Sequence, residues 1–518
     1  MLRENLKLGC VAEMLRRFGN WSFIVVFSVV YIRILWKTTQ VVPGSVGKYI
    51  FLALAWVALL GYLSLRRARL PKERHIQYTV IAFLLSQFVY VWAIHSQVSS
   101  DAYVIAYIAY HFAAGEFDAL EGWWMDYLAV YPNNLPATEV VALVFSVWLP
   151  DTLEQAWLLL SGVAALLSDL ALVFIYKLVR NAVSKTAAVA AVLMAVATIT
   201  LSEPSTILYS DIMALWATPA ALYALYCGKT RNGKYYAAAG MLLAYGAWIK
   251  PQSVVLTIAV CIGVTLECFQ TCKWQQKQTI RSGVLGVIAF LVTTACLFGI
   301  KNAAIDLVGK DRVEQNEMPA IHFVSMGLNP ETNGCYSEKD VLEMEAVLGH
   351  DAKVELAKSK IKLRLEELGA YGLLKHIDNK IVLGAGNGTF TSALEWRGAV
   401  QNHSLQAQRI QRWSVFAGEN FSRYTAPWIQ CVYLLMFAMS ICSAVFSVSK
   451  RYREADKAVM LLADICRYFM VGVLLMLIFL ERNLRYVYAA LPCMIFLAAY
   501  ILEKVSVLFE KKKTVAQK

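Results

Sequence analysis

Long apolar runs separated by short polar segments make up most of this chain. Runs of this kind are typical of transmembrane helices, because about 20 helical residues span the hydrocarbon core of a bilayer. We therefore predict an all-α polytopic membrane protein with about 12 transmembrane helices. The predicted spans are residues 21–36, 50–65, 78–96, 157–179, 186–203, 212–227, 235–249, 251–268, 283–300, 426–447, 459–480 and 487–505.

Two longer polar regions interrupt these spans. The first, residues 97–156, opens with SSDAYVIAYIAYHFAAGEF, which predicts an amphipathic juxtamembrane helix led by Asp101. Its apolar run 138–149 is too short to cross, so we predict an interfacial or re-entrant segment there. The second region, residues 301–425, contains a capping-box pattern at 337–340 and a charged helical stretch to about residue 369. We expect it to form a partly helical loop domain over one membrane face.

Composition agrees with a membrane protein. The 518 residues are 58% hydrophobic and 17% charged, with a mean hydropathy of +0.51. Soluble domains carry nearer a quarter charged residues. The net charge of +12 does not indicate nucleic-acid binding, because the basic residues form short clusters between apolar runs, as cytoplasmic loops do.

The basic clusters predict the orientation of the chain. All of them fall on one side if both termini are cytoplasmic, whereas residues 97–156 contain no Lys or Arg. We therefore place Asp101, Asp211, Lys250, Arg482 and the 301–425 region outside, in a protein of the bacterial plasma membrane. The clusters lie within residues 3–17, 66–74, 177–185, 229–234, 273–281, 450–457 and 511–513.

The 11 cysteines predict neither a disulfide framework nor a structural zinc site. Most lie in apolar segments, and only Cys335 falls in the 301–425 region. The N-terminal residues lack a signal-peptide pattern before a small-residue cleavage site, so we expect the first apolar run to be a retained anchor.

Two carboxylates stand at predicted span ends on the outer face. Asp101 leads the amphipathic helix, and Asp211 in YSDIMALW precedes the next span. Each suits a helix N-cap, the commonest role of Asp at such a boundary. Alternatively, a carboxylate on a rigid element at the membrane surface suits a general base.

Basic and aromatic groups on this face add a second kind of candidate. Lys250 in WIKPQ ends a span, and Arg482 and Arg485 in ERNLRYVYAALP begin the last one. Arginines there suit a phosphate, which guanidinium binds in a bidentate manner, or else an ion pair with Glu481 or lipid head groups. Lys250 is also explained by snorkelling. Aromatic residues in GWWMDY suit interfacial anchors or a platform for a sugar.

The ordered series of these motifs resembles the GT-C membrane glycosyltransferases, which include protein O-mannosyltransferases and lipid A aminoarabinose transferases. The resemblance rests on the span-end Asp101, the Tyr-rich helix behind it, the YPNN element, YSDIMALW, WIKPQ and ERNLRYVYAALP. It covers most of the chain in order and implies a GT-C-like bundle.

The resemblance implies an inverting enzyme that moves a sugar from a polyprenyl-phosphate carrier to an extracytoplasmic acceptor. The acceptor would be a cell-envelope glycan, a teichoic-type polymer, a lipid or a protein, and nucleic acid is not an expected partner. By position, Asp101 would be the catalytic base. The implied substrate-binding residues are Asp211, Tyr103, Tyr131, Lys250, Arg482, Arg485 and Tyr486.

The first outer loop departs from relatives that carry Asp-Glu or Asp-x-Asp there, since Ala102 and Tyr103 follow Asp101. We therefore predict no metal site and no cofactor, and leave a divalent cation open. The predicted domains are additional N-terminal helices at 1–77, a catalytic membrane core at 78–300, the outer loop region at 301–425, and C-terminal helices with a basic tail at 426–518.

Two other classes of membrane protein remain as alternatives. A polysaccharide polymerase or ligase also has many helices and outer arginines, but it usually relies on Arg and His rather than a span-end Asp. A lipid-linked-glycan transporter or flippase would place charges near mid-membrane in broken helices and often shows internal repeats. Here the polar groups concentrate at one surface, which favours the transferase.

The charge pattern makes a testable prediction about topology. In a cysteine-free background, a cysteine introduced at Asn333 should react with an impermeant thiol reagent added outside intact cells. A cysteine at Arg69 should react only after the membrane is permeabilised. The opposite pattern of labelling would contradict the assigned orientation.

Overall fold

The computed structural model describes residues 2–65, 73–271, 277–390, 397–413, 420–449 and 457–516. Arg69 and parts of the basic clusters at 66–74, 273–281 and 450–457 lie outside the described residues. The first half of the chain forms α1 (Leu2–Val41), α2 (Val46–Leu65), α3 (Glu73–Ile94), β1 (Ser96–Val98), α4 (Ser100–Ala114), α5 (Trp123–Val130), α6 (Leu135–Val147), α7 (Leu153–Ala182), α8 (Lys185–Ala195), α9 (Ser210–Leu215), α10 (Ala217–Thr230), α11 (Tyr235–Ile249) and α12 (Val254–Thr271).

The described part of the second half is also almost entirely helical, and the one strand in it pairs with β1. It forms α13 (Lys277–Val308), α14 (Lys310–Asn316), α15 (Ala320–Gly327), α16 (Glu338–Glu345), α17 (His350–Ala385), β2 (Arg397–Val400), α18 (Leu405–Gln411), α19 (Ala426–Val448), α20 (Lys457–Phe479), α21 (Leu484–Tyr488) and α22 (Leu491–Ala516).

The helical architecture supports a polytopic membrane protein, but the predicted count of about 12 spans is not confirmed. Within the described residues, eight helices are long and apolar enough to cross a membrane. They are Leu8–Val41, Val46–Leu63, Leu153–Ala182, Pro251–Gln270, Ile280–Val308, Phe421–Val448, Lys457–Phe479 and Leu491–Phe509.

The other four predicted spans coincide with shorter apolar helices. The 212–227 run is divided between α9 and α10, and α11 ends after 15 residues. At about 1.5 Å per residue, a helix of that length covers less than the hydrocarbon thickness. The apolar runs therefore include turns that hydropathy alone does not reveal.

The core lies where α7, α8, α19, α20 and α22 pack together. Two-thirds of the most apolar stretch of α20 and of α22 is buried, whereas none of that of α13 is. The α13 helix packs at the edge on α11, where Gly240 faces Gly286 so closely that a Cβ on Gly240 would overlap the Gly286 carbonyl. Small residues thus allow these two backbones to meet.

The outer region and the basic N-terminal residues lie at opposite ends of α1. Near its C-terminal end, Arg33 donates two hydrogen bonds to Asp378 of α17, at 2.8 and 2.6 Å. Near its N-terminal end, Arg16 contacts Asp464 of α20. This separation agrees with the predicted sidedness, and which end faces the cytoplasm stays a prediction.

The helices of the 301–425 region follow their local signals. Ser337 is the N-cap of α16, and its hydroxyl accepts from the Asp340 amide at 3.3 Å, which confirms that half of the predicted capping box. The charged helix does not end near residue 369. It kinks at Gly369, where φ is 57° and ψ is −178°, a conformation almost confined to glycine, and α17 continues to Ala385.

A buried ion cluster joins α1, α19 and α20. The i,i+3 spacing of Asp464 and Arg467 in the sequence predicts a pair on one helix face. The structure confirms it, with Arg467 donating to Asp464 at 2.6 Å. Arg16 of α1 contacts the other oxygen of this carboxylate, and Arg467 also donates to Ser443 at 3.1 Å. Asp464 therefore balances two guanidinium groups in a region of low dielectric constant.

We predict that Asp464→Ala strongly destabilises the protein. Removing the carboxylate leaves the buried Arg467 without a carboxylate partner and leaves Arg16 with only Glu13, at 3.7 Å. Breaking a buried pair in this way typically costs about 3–5 kcal/mol. Thermal melting of purified protein in detergent would measure the change. Arg17→Ala is the control, because it breaks an exposed pair with Glu13 that is worth about 1 kcal/mol or less. Equal melting temperatures for the two variants would contradict the assignment.

Candidate functional site

Asp101 follows a short two-stranded sheet at the C-terminal end of α3. Strand β1 follows α3 and pairs antiparallel with β2 of the outer region, with Ser96 opposite Val400. Two residues later the chain enters α4 through Ser100, whose φ of 57° is unusual for a residue other than glycine. Asp101 thus lies in the first turn of α4, while Ser99 takes the N-cap position.

The Asp101 carboxylate contacts tyrosine hydroxyls from two other elements. Tyr127 of α5 donates to it at 2.7 Å, and the hydroxyl of Tyr209, which precedes α9, lies 3.2 Å from its second oxygen. Asn134 links the two tyrosines, since its amide nitrogen donates to Tyr127 at 2.7 Å and its oxygen lies 3.3 Å from the Tyr209 hydroxyl. Residues from three separate elements of the chain thus fix the orientation of the Asp101 carboxylate.

Burial keeps both tyrosines in their protonated form. Removal from water, reinforced by the negative charge of Asp101, raises the pKa of Tyr127 and of Tyr209 well above the ordinary tyrosine value. Each phenol therefore acts as a hydrogen-bond donor at neutral pH. Donors of this kind fix the direction in which the Asp101 carboxylate points.

Asp211 forms a second carboxylate centre beside the first. It lies in the first turn of α9 and pairs with the buried ammonium of Lys250, at the end of α11. Arg485 of α21 places a guanidinium nitrogen 3.5 Å from the other Asp211 oxygen. Both Asp211 and Lys250 are more than nine-tenths buried, so their charges stabilise each other away from water.

Tyr209 connects the two carboxylate centres. Its hydroxyl faces Asp101, while the Arg485 guanidinium lies 5.2 Å from the centre of its ring. An arginine over an aromatic face gains a favourable cation–π interaction. A carboxylate and an arginine therefore both approach the side chain of Tyr209.

Glu481, Tyr486 and Tyr131 surround this centre. Glu481 is buried, and burial raises its pKa, although the charge of Arg485 partly opposes the shift. Tyr486 is buried, and the charges of Glu481 and Arg485 act on its hydroxyl. The ring of Tyr131 lies 5.2 Å from that of Tyr127, and the Asp101 charge acts on its hydroxyl.

The structure brings most of the predicted site residues together. Asp101, Asp211, Lys250 and Arg485 form one cluster, with Tyr131 and Tyr486 beside it. Their catalytic and binding roles stay predictions.

Tyr103 and Arg482 lie apart from this cluster. Tyr103 packs in an aromatic group, with its ring 5.9 Å from Trp157 and 6.3 Å from Trp124. Arg482 donates to the Asn333 carbonyl at 3.2 Å, in the outer region. The two arginines of ERNLRYVYAALP therefore point to different surroundings.

Sequence reasoning did not assign four residues that the structure places here: Tyr127, Asn134, Tyr209 and Glu481. Each lies in a motif that the sequence analysis singled out, namely GWWMDY, YPNN, YSDIMALW and ERNLRYVYAALP. For Tyr209 and Glu481 the available signal was their position beside a predicted span end, and for Tyr127 and Asn134 it was the motif alone. Within the described residues, no group of three or more His, Cys, Asp or Glu side chains is placed to hold a metal ion.

Comparisons with known proteins identify a family. The family model described as "Conserved hypothetical integral membrane protein" matches residues 36–506. No curated protein matches the chain. Among solved structures, the chain is similar to ArnT from Cupriavidus metallidurans, in a crystal structure bound to undecaprenyl phosphate, at 13% identity over 84% of this chain and 78% of that chain, with a TM-score of 0.35. A TM-score this low does not establish a shared fold.

Proposed function

The chain belongs to this family of conserved hypothetical integral membrane proteins, and we propose that it is an inverting glycosyltransferase. In this proposal it takes a sugar from a polyprenyl-phosphate carrier and transfers it to an acceptor of the cell envelope outside the cytoplasm. The ordered motifs that resemble GT-C enzymes support the reaction class. The geometry around Tyr209 supports the assignment of roles.

The observation that carries the proposal is the approach of Asp101 and Arg485 to one ring. The Tyr209 hydroxyl lies 3.2 Å from Asp101, and the guanidinium of Arg485 lies over the Tyr209 ring at 5.2 Å. A group transfer from a phosphate to a hydroxyl needs a base beside the nucleophile and a cation beside the leaving group. Asp101 and Arg485 provide such a base and such a cation beside Tyr209.

In the proposed reaction, Asp101 accepts the proton of the acceptor hydroxyl as its oxygen attacks C1 of the sugar. The bond between C1 and the phosphate oxygen breaks, and its electron pair leaves with the polyprenyl phosphate. Attack from the face opposite the leaving group inverts the configuration at C1. Negative charge that develops on the phosphate is stabilised by Arg485.

The Asp211–Lys250 pair has a supporting role in this scheme. Because Lys250 neutralises Asp211, the charge of Arg485 is less fully compensated by its neighbouring carboxylate. Lys250 and Asp211 would therefore tune the phosphate site, with Tyr131 and Tyr486 lining it. Arg482, whose guanidinium faces Asn333 of the outer region, would contact the donor less directly.

The function itself is tested with purified protein in lipid. The protein would be incubated with a panel of polyprenyl-phosphate sugars and cell-envelope acceptors, and released polyprenyl phosphate would be measured. Release that requires both donor and acceptor supports the proposal. Absence of release with every donor, together with donor movement across the bilayer, would favour a flippase.

Asp101→Asn is predicted to keep the fold and lose transfer. Asn keeps one acceptor oxygen for a tyrosine O–H and can offer its amide N–H to the oxygen of the other tyrosine, but it cannot take up the acceptor proton. We expect transfer to fall roughly 10²–10⁴-fold at an unchanged melting temperature. Asp126→Asn is the control, because this more exposed acid of the same loop pairs with Arg312. Near-normal transfer by Asp101→Asn would return Asp101 to a structural role and make Asp211 and Glu481 the next candidates.

The two arginines are predicted to differ. Arg485→Ala should weaken use of the donor roughly ten- to a hundredfold, since a charge-assisted hydrogen bond is worth about 1.5–3 kcal/mol. Arg482→Ala should have a smaller effect on donor affinity, because its guanidinium faces Asn333. The measurement is the donor concentration dependence of transfer. A larger loss for Arg482→Ala than for Arg485→Ala would overturn this assignment.

A further inference from the structure

A buried lysine of the outer region contacts the end of a core helix. Lys380 of α17 has no exposed surface, and its ammonium donates to three main-chain carbonyls. These belong to Gly327 at 2.7 Å, Ile478 at 3.0 Å and Leu480 at 2.7 Å. An ammonium has three N–H donors, so these three contacts use all of them.

Two of these carbonyls lie at the C-terminal end of α20, which ends at Phe479. The last carbonyls of a helix lack partners within the helix, and the helix dipole favours a cation there. Lys380 therefore caps α20 from another element. Burial, together with the nearby charge of Arg482, lowers the pKa of Lys380 to about 8, so most of the ammonium remains charged at neutral pH.

The segment that follows α20 also packs close to Lys380. The Arg482 amide donates to the Gly334 carbonyl at 2.5 Å, and Gly334, with φ of 72°, packs on the Lys380 stem. A Cβ at Gly334 would meet both the Lys380 stem and the Gly327 carbonyl. The 327–334 turn is thus enclosed between Lys380 and the segment formed by residues 480–485.

The 480–485 segment carries side chains of the candidate site. It contains the buried Glu481, and it ends at Arg485, whose amide donates to the Asn483 side chain at 3.1 Å. Its course from α20 to α21 is therefore defined at one end by Lys380 and at the other by Asn483. Displacing the first end would move Glu481 and Arg485 relative to Asp211.

We propose that Lys380 is a positioning residue. Its contacts fix the 480–485 segment against the outer region, and so keep Arg485 beside Asp211 and Tyr209. The catalytic consequence rests on the proposed function, whereas the structural consequence does not. Lys380 itself lies outside the group of side chains that would touch the substrate.

The chain offers a matched control in Lys353. This lysine also lies on α17, has no exposed surface and donates to a main-chain carbonyl, that of Asn316. Its contacts stay within the outer region. Lys380→Met and Lys353→Met therefore each remove one buried ammonium from the same helix. They differ because only Lys380→Met removes a partner of the 480–485 segment.

The first measurement is amide hydrogen exchange of the purified full-length protein in lipid. Lys380→Met should speed exchange at residues 480–486 roughly ten- to a hundredfold, as expected when charged hydrogen bonds are lost, and Lys353→Met should leave it unchanged. Unchanged exchange there in folded Lys380→Met, or equal acceleration in both variants, would overturn the proposal.

The second measurement is transfer from a polyprenyl-phosphate sugar. Lys380→Met should lower kcat roughly tenfold or more, and Lys353→Met should stay within about threefold of the parent. If the parent protein does not turn over any donor, the proposed function fails, while hydrogen exchange still decides the role of Lys380. Normal kinetics in a variant with accelerated exchange would contradict the link to the site.

A second variant covers failure of the first to fold. Lys380→Gln keeps an N–H donor without the charge and should give an intermediate acceleration of exchange at residues 480–486. If Lys380→Met does not fold, the comparison with Lys353→Met is made with Lys380→Gln. If neither Lys380 variant folds, Lys380 is required by the whole fold, and a local positioning role is wrong.

Discussion

The fold depends on partners for Asp464 and Asp211, two charges that it carries into a medium of low dielectric constant. A charge without a partner there costs several kcal/mol, so each one recruits groups from distant parts of the chain. Asp464 lies between Arg16 and Arg467, and Asp211 lies between Lys250 and Arg485. Each pairing fixes the relative position of the helices that carry it. Apolar packing alone would define that position less strictly.

Polar contacts also join the outer region to the membrane core. Arg33 of α1 pairs with Asp378, two residues before Lys380 inserts its ammonium at the end of α20. In addition, β2 of the outer region pairs with β1, and β1 leads the chain into Asp101. The outer region is therefore part of the framework that sets the geometry of Asp101 and Arg485, and not only a cover over the membrane face.

What the sequence predicts and what it misses follows from the range of each interaction. Short-range patterns predicted the membrane class, the Asp464–Arg467 pair at i,i+3 and the Ser337 cap, because each depends on neighbouring residues. Arg16 stands 448 residues from Asp464, and Tyr209 stands 108 residues from Asp101, so no local pattern brings them together. The predicted number of spans is not confirmed for a related reason, since turns such as that between α9 and α10 lie within continuous apolar runs.

The charges of the candidate site bear on how an anion would bind there. Lys250 and Arg485 meet three carboxylates, those of Asp101, Asp211 and Glu481, so five ionised side chains would carry a net negative charge and oppose a phosphate. Burial raises the pKa of Glu481, which shifts this carboxyl toward its neutral form and lessens the negative charge that opposes a phosphate. With Lys250 matched to Asp211, the other opposed charges are those of Arg485 and Asp101. In the proposed reaction, Arg485 acts at the departing phosphate and Asp101 acts at the attacking hydroxyl. The burial that raises the pKa of Glu481 therefore also favours phosphate binding at Arg485.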